Sequence, residues 1–334
     1  DRCYVYFDVY SPLTIAKVCS NGDLLSECIK FLYNEGGEGY DGLYYHDELG
    51  TYTNANQEAG DNSYRYSGSN PNNYVCFGSD EEVCPYDYLY RIIGVFDEDS
   101  DGEYNVKLIK ADYTTSDMLG TNGDYDGNIL SIFIGDYKGY MDYDIIASYY
   151  YNGDDSLSED GNNNWTTSNL NIVNLNTNYL NYLGVSWSNK ILANTWYLGG
   201  MSDRVFMVKT FFEGERNNNG YSNNPTRYAA KIGLMYPSDY GYAAYSDAWS
   251  TNLSSYSSTT IKGNNWLYMG IHENLITSDN SDISRTFYIN AGGQIAISPN
   301  TTISSMAIRP TFYLNSDVTY VSGNGAQDNP IRIN

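Results

Sequence analysis

The stretch from Tyr88 to Tyr113 constrains the fold more than any other part of this chain. It reads YLYRIIGVFDEDSDGEYNVKLIKADY, in which two apolar runs flank an acidic turn. Side chains alternate along Leu89 to Phe96 and again along Val106 to Ala111, and turn-forming residues separate the two runs, which predicts a β-hairpin. Because both faces of the first run are largely apolar, we expect this hairpin to lie in the middle of a sheet.

The acidic turn of the hairpin has the spacing of a cation-binding loop. Asp97, Asp99 and Asp101 alternate along the chain and are followed by a glycine and Glu103. In the first half of a calcium loop, carboxylates on alternate residues converge on one hard cation and glycine takes the sharp bend. The twelfth position here is Leu108 instead of a bidentate glutamate, so an acidic, solvated turn is the alternative interpretation. The candidate cofactor is calcium, and its candidate ligands are Asp97, Asp99, Asp101 and Glu103.

The charge of the chain excludes several classes of partner. Among 334 residues, 18 are Lys or Arg and 41 are Asp or Glu, which gives a net charge of -23. Such a field repels phosphate backbones and anionic membranes, so nucleic-acid binding is not expected. There is no apolar run of about eighteen residues, so we expect no direct membrane insertion by this segment. The 37 tyrosines suit contact surfaces and carbohydrate stacking, or simply fill the faces of sheets.

Five cysteines lie in the first quarter of the chain and indicate export if they are oxidised. Bonds between Cys19 and Cys28 and between Cys76 and Cys84 would close short loops and leave Cys3 odd. A bond from Cys3 to Cys19 or Cys28 fits the spacing equally well. No CxxC spacing is present, so a zinc site is not predicted. We interpret a chain that starts at Asp1 as a mature or trimmed product of an exported protein.

The pattern as a whole predicts an α+β, β-rich fold with long loop insertions and a few short helices. Residues 1–12 are predicted to form an N-terminal strand or arm, which is either the last strand of a preceding module or an arm that adds to a neighbouring subunit. Residues 13–334 are predicted to form a single loop-rich surface domain. A sub-boundary is expected near the Gly/Asp/Tyr-rich insertion at residues 114–164.

Apolar periodicity also places individual elements. A helix is predicted from Leu24 to Leu32 after a cap-like Asp23, and another from Trp165 to Leu183 with Ser168 as its cap. The remaining predicted elements are a short helix over Ser188–Ala193, a strand or mixed element over Val205–Phe212, and strands over Trp196–Leu198, Lys231–Tyr236, Asn265–Ile271, Arg285–Asn290, Gln294–Ile297 and Met306–Leu314.

The stretch from Met269 to Arg285 is the candidate contact surface. We interpret it as a polar loop that joins two core strands, and loops held on a rigid sheet often carry recognition. A plain surface loop is the alternative. The candidate ligand-binding residues in and beside this loop are Trp266, Tyr268, His272, Glu273, Asn274 and Asn280.

Several motifs together resemble a family of uncharacterised surface proteins of Gram-positive-type bacteria. The resemblance covers roughly Tyr44 to the C-terminus and implies export and display, with no established activity. The residues that carry it are GSNPNNYVCFGS (Gly68 to Ser79), LYRIIGVF (Leu89 to Phe96), the helix from Trp165 to Leu183, KIGLMYPSDYGYAA (Lys231 to Ala244), NNWLYMG (Asn264 to Gly270) and AIRPTFYLNSDVTYVSGNGAQDNPIRI (Ala307 to Ile333).

The C-terminal half is also similar, more weakly, to the C-type-lectin-like fold of bacterial display proteins. Trp266, the strand Arg285 to Ile289 with its following glycine turn, and Arg309-Pro310 would correspond to the strands that close the small twisted sheet of that fold. This similarity implies a C-type-lectin-like mixed sheet. The paired lectin cysteines and the sugar-binding tripeptides of that family are absent from this half, so carbohydrate binding does not follow from it.

These observations favour an extracellular or cell-surface protein that is not an enzyme. The chain has two histidines, His46 and His272, and no GxSxG motif, so triad hydrolysis is not expected. We expect a role in adhesion or as a structural subunit of an extracellular filament or other assembly, with itself or other surface proteins as partners. One alternative is a calcium-assisted glycan- or protein-binding lectin-like module, and another is a surface hydrolase.

Overall fold

The structure, a computed structural model, describes residues 12–47, 57–98, 101–129, 136–153, 161–299 and 301–334. It has an α+β fold, as the sequence predicts, built from several antiparallel sheets and short helices. The strands are β1 (Leu43–His46), β2 (Ser63–Tyr66), β3 (Tyr74–Cys76), β4 (Leu89–Phe96), β5 (Asn105–Lys110), β6 (Tyr125–Ile129), β7 (Ala147–Tyr149), β8 (Asn194–Tyr197), β9 (Arg227–Ala230), β10 (Ile232–Gly233), β11 (Glu273–Ser278), β12 (Thr286–Ile289), β13 (Ile295–Ala296), β14 (Thr311–Tyr313), β15 (Tyr320–Ser322) and β16 (Arg332–Ile333).

Helices connect and cover these strands. The α-helices are α1 (Ile15–Val18), α2 (Leu25–Gly36), α3 (Ser116–Leu119), α4 (Leu180–Ser188), α5 (Val208–Arg216), α6 (Pro237–Tyr242) and α7 (Thr259–Gly263). A π-helix spans Leu170–Tyr179 and continues directly into α4. Short 3-10 helices lie at Tyr40–Gly42, Tyr86–Tyr88, Tyr143–Ile145, Trp165–Thr167, Ser246–Ser250, Leu253–Ser255 and Thr301–Ile303.

The predicted hairpin is confirmed and lies in the middle of the largest sheet. The strand order of that sheet is β1-β2-β4-β5-β14-β10, and β3 also pairs with β4. Ile92 of β4 lies opposite Leu108 of β5, and every residue of β4 is buried. The register shifts between Ile92 and Gly94, where a side chain at position 94 would collide with the carbonyl oxygen of Tyr64 on the neighbouring strand. Glycine at this position therefore lets β2 approach the bulge.

Smaller sheets surround the central one. β11, β12 and β13 form a three-stranded sheet, and β6 with β7, β8 with β9, and β15 with β16 form two-stranded sheets. The main hydrophobic core extends along the described chain from Ile15 to Ile333 and includes Tyr149 and Trp165 near the predicted insertion. Among the described residues, no helix has the length and apolar character needed to cross a bilayer.

Two predicted helices are confirmed, with changes at their ends. α2 buries Cys28, Ile29 and Leu32 as expected, but Leu24 lies exposed ahead of it and Asp23 accepts a hydrogen bond from the Ser20 N–H instead of capping the helix. The second helix is a 3-10 turn followed by the π-helix and α4. Its predicted cap is confirmed, because Ser168 Oγ accepts a hydrogen bond from the Asn171 N–H at 3.2 Å.

Three other predictions are wrong in conformation. The stretch Val205–Phe212 leads into α5, because Val208, Phe211, Phe212 and Glu215 fall on one buried helical face. The predicted helix over Ser188–Ala193 is absent, since α4 ends at Ser188. The stretch Asn265–Ile271 is buried but forms turns instead of a strand. The predicted N-terminal strand at residues 1–12 lies almost wholly outside the described residues.

Candidate binding groove

The four short-range cysteines form the two local disulfides. Cys19 bonds to Cys28 with a Cα–Cα distance of 5.6 Å, and Cys76 bonds to Cys84 with a Cα–Cα distance of 5.8 Å. This pairing is one of the alternatives that the spacing leaves open. Cys3 lies outside the described residues. Asp23, Cys19 and Cys28 also lie close enough together to hold a metal, but the disulfide removes both thiolates as ligands.

The predicted calcium ligands lie in a turn whose carboxylates bind the backbone. Asp97 accepts hydrogen bonds from the N–H groups of Asp101 and Gly102, and Asp101 Oδ1 accepts from the Glu103 N–H at 2.8 Å. Asp99 lies outside the described residues. Within the described part of the chain, Asp97, Asp101 and Glu103 do not converge as a three-ligand group. Calcium binding at this turn stays a prediction.

The prediction of a surface loop from Met269 to Arg285 is wrong over its centre. Residues Glu273–Ser278 form β11, in which every residue is buried. Polar residues alone indicate a loop, but here the amide groups of two of them donate to backbone carbonyl oxygens of distant segments. Asn274 donates to the Tyr149 carbonyl oxygen at 3.1 Å, and Asn280 donates to the Gly200 carbonyl oxygen at 3.0 Å.

The aromatic candidates beside that loop are also internal. Trp266 is buried and donates from Nε1 to the Tyr66 carbonyl oxygen at 2.8 Å. Tyr268 is buried and donates to the Ala291 carbonyl oxygen at 2.7 Å. His272 stacks on Tyr288 with ring centroids 5.5 Å apart, and burial lowers the pKa of His272. These residues are not assembled into an open surface.

Glu273 has a partner in the core. Arg309 Nε and Nη2 each donate to one of its carboxylate oxygens at 2.8 Å, and Tyr113 donates to Oε2 at 3.2 Å. Such a bidentate pair satisfies both charges in an apolar surrounding. Burial raises the pKa of Glu273, although Arg309 opposes that rise.

A different surface has the shape of a binding site. We call it the disulfide-loop groove: two adjoining depressions of about 720 and 550 Å³ between the Cys76–Cys84 loop and the C-terminal hairpin β15–β16. Both depressions are lined by Glu82, Ser322 and Arg332. The first is also lined by Val83 and Tyr86, which are 79% and 59% exposed. Clefts of this size are typical of ligand and peptide sites.

The rim of the groove is acidic. Asp80, Glu81 and Glu82 line one side and Asp328 lines the other. Within the described residues none of these four carboxylates takes part in an ion pair. Arg332, the one basic residue among the described lining residues, donates to the backbone carbonyl oxygens of Glu82 and Ser79. The groove therefore has a negative potential. The sequence signal for this groove is the apolar Val83 beside three acids between two cysteines.

A second cluster, of buried charges, joins the central sheet to α6. Lys107 Nζ on β5 donates to Asp239 Oδ2 on α6 at 2.7 Å, and both side chains are almost wholly buried. Arg65 Nη1 on β2 lies 3.7 Å from the other Asp239 oxygen, and its Nη2 pairs with Asp61 at 2.6 Å. Burial raises the pKa of Asp61, but Arg65 and Arg216 outweigh burial and hold that pKa at about 2. The carboxylates of this cluster are thus acceptors for fixed cations.

The same cluster continues to the end of α5. Arg216 Nη2 pairs with Glu98 Oε1 at 3.0 Å, and Tyr313 donates to the same oxygen at 2.8 Å. The Arg216 guanidinium carbon also lies 3.9 Å from the centre of the Phe212 ring. Cation–aromatic packing and the ion pair together fix the Arg216 side chain.

Among the described residues, this cluster contains one more acid than it has cations, and the acid without a cation of its own is Glu215. It is fully buried, accepts a hydrogen bond from the Ser238 N–H at 2.9 Å, and contacts Ser238 Oγ. Burial raises the pKa of Glu215 to about 8, and Arg216 opposes that rise. The cations Arg65, Lys107 and Arg216 balance Asp61, Asp239 and Glu98, so the cluster is neutral when Glu215 is protonated.

Lys110 has a buried amine that finds no hydrogen-bond partner in the part of the chain that the structure describes. Burial lowers its pKa to about 8, and Asp112 only partly opposes that shift. We expect Lys110→Met to raise the free energy of unfolding at pH 7 by about 1–3 kcal/mol, because the cost of burying an unpaired polar group disappears. Since the pKa of the folded state is below that of the unfolded state, this cost diminishes as pH rises above 8.

Urea unfolding of the wild type, Lys110→Met and the exposed control Lys17→Met tests this expectation. The control should change stability by less than about 0.5 kcal/mol. A loss of stability in Lys110→Met would show that the amine has a stabilising partner in the folded chain.

Comparison of the chain with protein-family models, with curated proteins and with solved structures finds no match.

Proposed function

We propose that this chain is an extracellular bacterial surface protein that acts in adhesion, by recognising another molecule rather than by catalysis. The observation that carries the proposal is the disulfide-loop groove, whose exposed Val83 and Tyr86 lie beside four carboxylates that form no ion pair with any described residue. Apolar side chains exposed in a polar-rimmed concave site are typical of recognition surfaces. The two disulfides are compatible with an oxidising, extracellular location.

The environments of several buried acids and bases also support a binding role. Glu273 is held by Arg309, and Asp239 is held by Lys107. His46 is buried, and burial lowers its pKa to about 3, so it stays neutral at physiological pH. Its Nδ1 accepts a hydrogen bond from the Ala59 N–H at 3.1 Å. Groups with these partners stabilise the core and are poorly placed to exchange protons with a substrate.

Charge favours adhesion to a different molecule over assembly of copies of this chain. Each copy has a net charge of -23, so two copies repel one another unless a local basic surface compensates. A partner with positive charge is attracted instead, and this attraction weakens as salt increases.

Beads coated with the whole protein provide the test. We expect them to be retained on layers of host epithelial cells or on immobilised extracellular-matrix proteins, with retention falling between 0.05 and about 0.5 M salt because screening weakens charge attraction. Beads coated with an unrelated protein of similar negative charge are the control.

Retention equal to that of the control beads would contradict the proposal. Release of sugars from the polysaccharides of the same surfaces would favour the surface hydrolase. Retention that requires calcium and is lost in chelator would favour the calcium-assisted lectin-like module.

A further inference from the structure

We propose that the disulfide-loop groove binds an extended polypeptide segment in which a large apolar side chain is flanked by lysine or arginine. This inference rests on the proposed recognition function, and it specifies the surface and the chemistry of the partner. Four observations lead to it: the anchoring of the groove walls, its exposed apolar lining, its unpaired carboxylates and the charge of the whole chain.

Both walls of the groove are anchored to the central sheet and to each other. Cys76 belongs to β3, and its N–H donates to the Ile331 carbonyl oxygen just before β16 at 2.9 Å. Tyr74 on β3 donates to the Gly325 carbonyl oxygen of the C-terminal hairpin at 2.8 Å. Between the walls, Arg332 Nη2 donates to the Glu82 carbonyl oxygen at 2.8 Å. A groove that exists before the partner arrives costs little ordering entropy on binding.

The lining offers an apolar side chain a place to bind. Val83 is 79% exposed at the tip of the disulfide-closed loop, and Tyr86 is 59% exposed beside it. The Tyr86 ring lies parallel to that of Tyr140, at an angle of 5° and a centroid distance of 5.6 Å, so one face of the ring is supported. Pro85 and Pro330 line the same depression. Covering these side chains with an apolar group of the partner removes exposed apolar area from water.

The rim determines the charge that flanks this apolar group. Asp80, Glu81, Glu82 and Asp328 are exposed and lack ion-pair partners within the described residues. They lie on both sides of the apolar lining, so cations are needed on both sides of the bound apolar side chain. Lysine and arginine supply such cations on long side chains that reach a rim carboxylate.

The same charges make other molecules less suitable for the groove than a basic polypeptide. A second copy of the chain, with a charge of -23, and an anionic polysaccharide are both repelled. A neutral glycan leaves the carboxylates without counter-charges. β-Strand addition is also disfavoured, because β3 is bonded to β4 on one side and to Ile331 on the other. A basic polypeptide that is recognised through its side chains satisfies all of these conditions.

The test uses a fluorescein-labelled peptide of alternating lysine with leucine or phenylalanine, titrated with the whole, oxidised protein. We expect saturable binding that weakens with salt. A peptide with glutamine in place of lysine, and one with serine in place of leucine and phenylalanine, should each bind at least about tenfold more weakly. Equal binding of all three peptides would overturn the proposal.

Matched protein variants locate the site. Glu82→Lys/Asp328→Lys reverses two charges of the groove, and Asp144→Lys/Asp247→Lys makes the same change in net charge at exposed positions elsewhere. We expect the groove variant to lose at least about tenfold in affinity and the control to lose less than about threefold. Equal losses would show that net charge alone attracts the peptide, which overturns the inference.

The variant Val83→Ser/Tyr86→Ser tests the apolar lining of the groove. It should also bind the peptide more weakly, without a change in the salt dependence of binding.

Bead retention separates this inference from the proposed function. If the Glu82→Lys/Asp328→Lys variant is retained on cells as well as the wild type, adhesion stands and the groove is not its site. If the wild-type beads are not retained although the peptide binds in the groove with the expected specificity, the groove assignment stands and adhesion is wrong.

Discussion

Replacing Asp239 with asparagine is expected to lower the free energy of unfolding by about 3–5 kcal/mol, because it leaves the buried Lys107 without its counter-charge. Asp239 accepts from Lys107 Nζ at 2.7 Å and lies 3.7 Å from Arg65 Nη1. It also accepts from the Tyr236 N–H at 2.9 Å at the start of α6. Asparagine has nearly the same volume as aspartate and keeps an acceptor for that N–H. The loss of unfolding free energy therefore measures the effect of removing the negative charge.

Urea unfolding at pH 7 measures this loss, and the exposed Asp247→Asn is the control, with an expected change below about 0.5 kcal/mol. The double variant Lys107→Met/Asp239→Asn should be more stable than Asp239→Asn alone, because it removes the cation that Asp239→Asn leaves unpaired, whereas Arg65 keeps Asp61 as its partner. Equal stabilities of Asp239→Asn and wild type would mean that Lys107 is neutral in the folded chain, in agreement with the lowering of its pKa by burial.

The parts of the fold that the sequence predicts well are local. The hairpin β4–β5 and the buried face of α2 each lie within one short stretch, where alternation or helical spacing is directly visible. The placement of β14 between β5 and β10 depends on Phe312 pairing with Leu108, far away in the chain, and no local pattern contains that pairing.

Apolar composition predicted burial better than it predicted conformation. The run Asn265–Ile271 is buried, but its backbone forms turns. The Asn265 side chain accepts a hydrogen bond from the Leu267 N–H, and the Trp266 indole N–H donates to the Tyr66 carbonyl oxygen. In β11, the polar residues Glu273 and Asn274 are buried, and distant partners bind the Glu273 carboxylate and the Asn274 amide N–H. Residue polarity along a single sequence does not reveal such partners.

One signal of the buried charge cluster was nevertheless present in the sequence. Lys107 and Lys110 lie within a strand that is otherwise apolar, and a lysine in the middle of a buried sheet needs a counter-charge or loses its proton. The two lysines differ in their surroundings. Lys107 pairs with Asp239, 132 positions further along the chain, whereas Lys110 has no hydrogen-bond partner among the described residues, and burial lowers its pKa to about 8.

The buried carboxyl of Glu215 is expected to make stability depend on pH in a definite direction. Burial raises its pKa to about 8 in the folded chain, from an ordinary value of 4.5. Between these values the unfolded chain gives up the proton more readily than the folded chain does. The stabilising contribution of Glu215 is therefore complete below about pH 4.5, falls as pH rises, and is lost above about pH 8. His46 acts in the opposite direction below pH 6.5, because burial lowers its pKa to about 3.

Comparison with Glu215→Gln isolates this contribution, because glutamine imitates the protonated acid and leaves His46 unchanged. The difference in unfolding free energy between Glu215→Gln and wild type should be small at pH 4.5 and grow to a few kcal/mol in favour of the variant at pH 8.5. The exposed Glu213→Gln on the same helix is the control and should show no such trend. A pH-independent difference would mean that Glu215 is already ionised at pH 4.5. Arg216, with Nη1 3.6 Å from Glu215 Oε2, would then be its counter-charge, and the cluster would carry one net negative charge in the core.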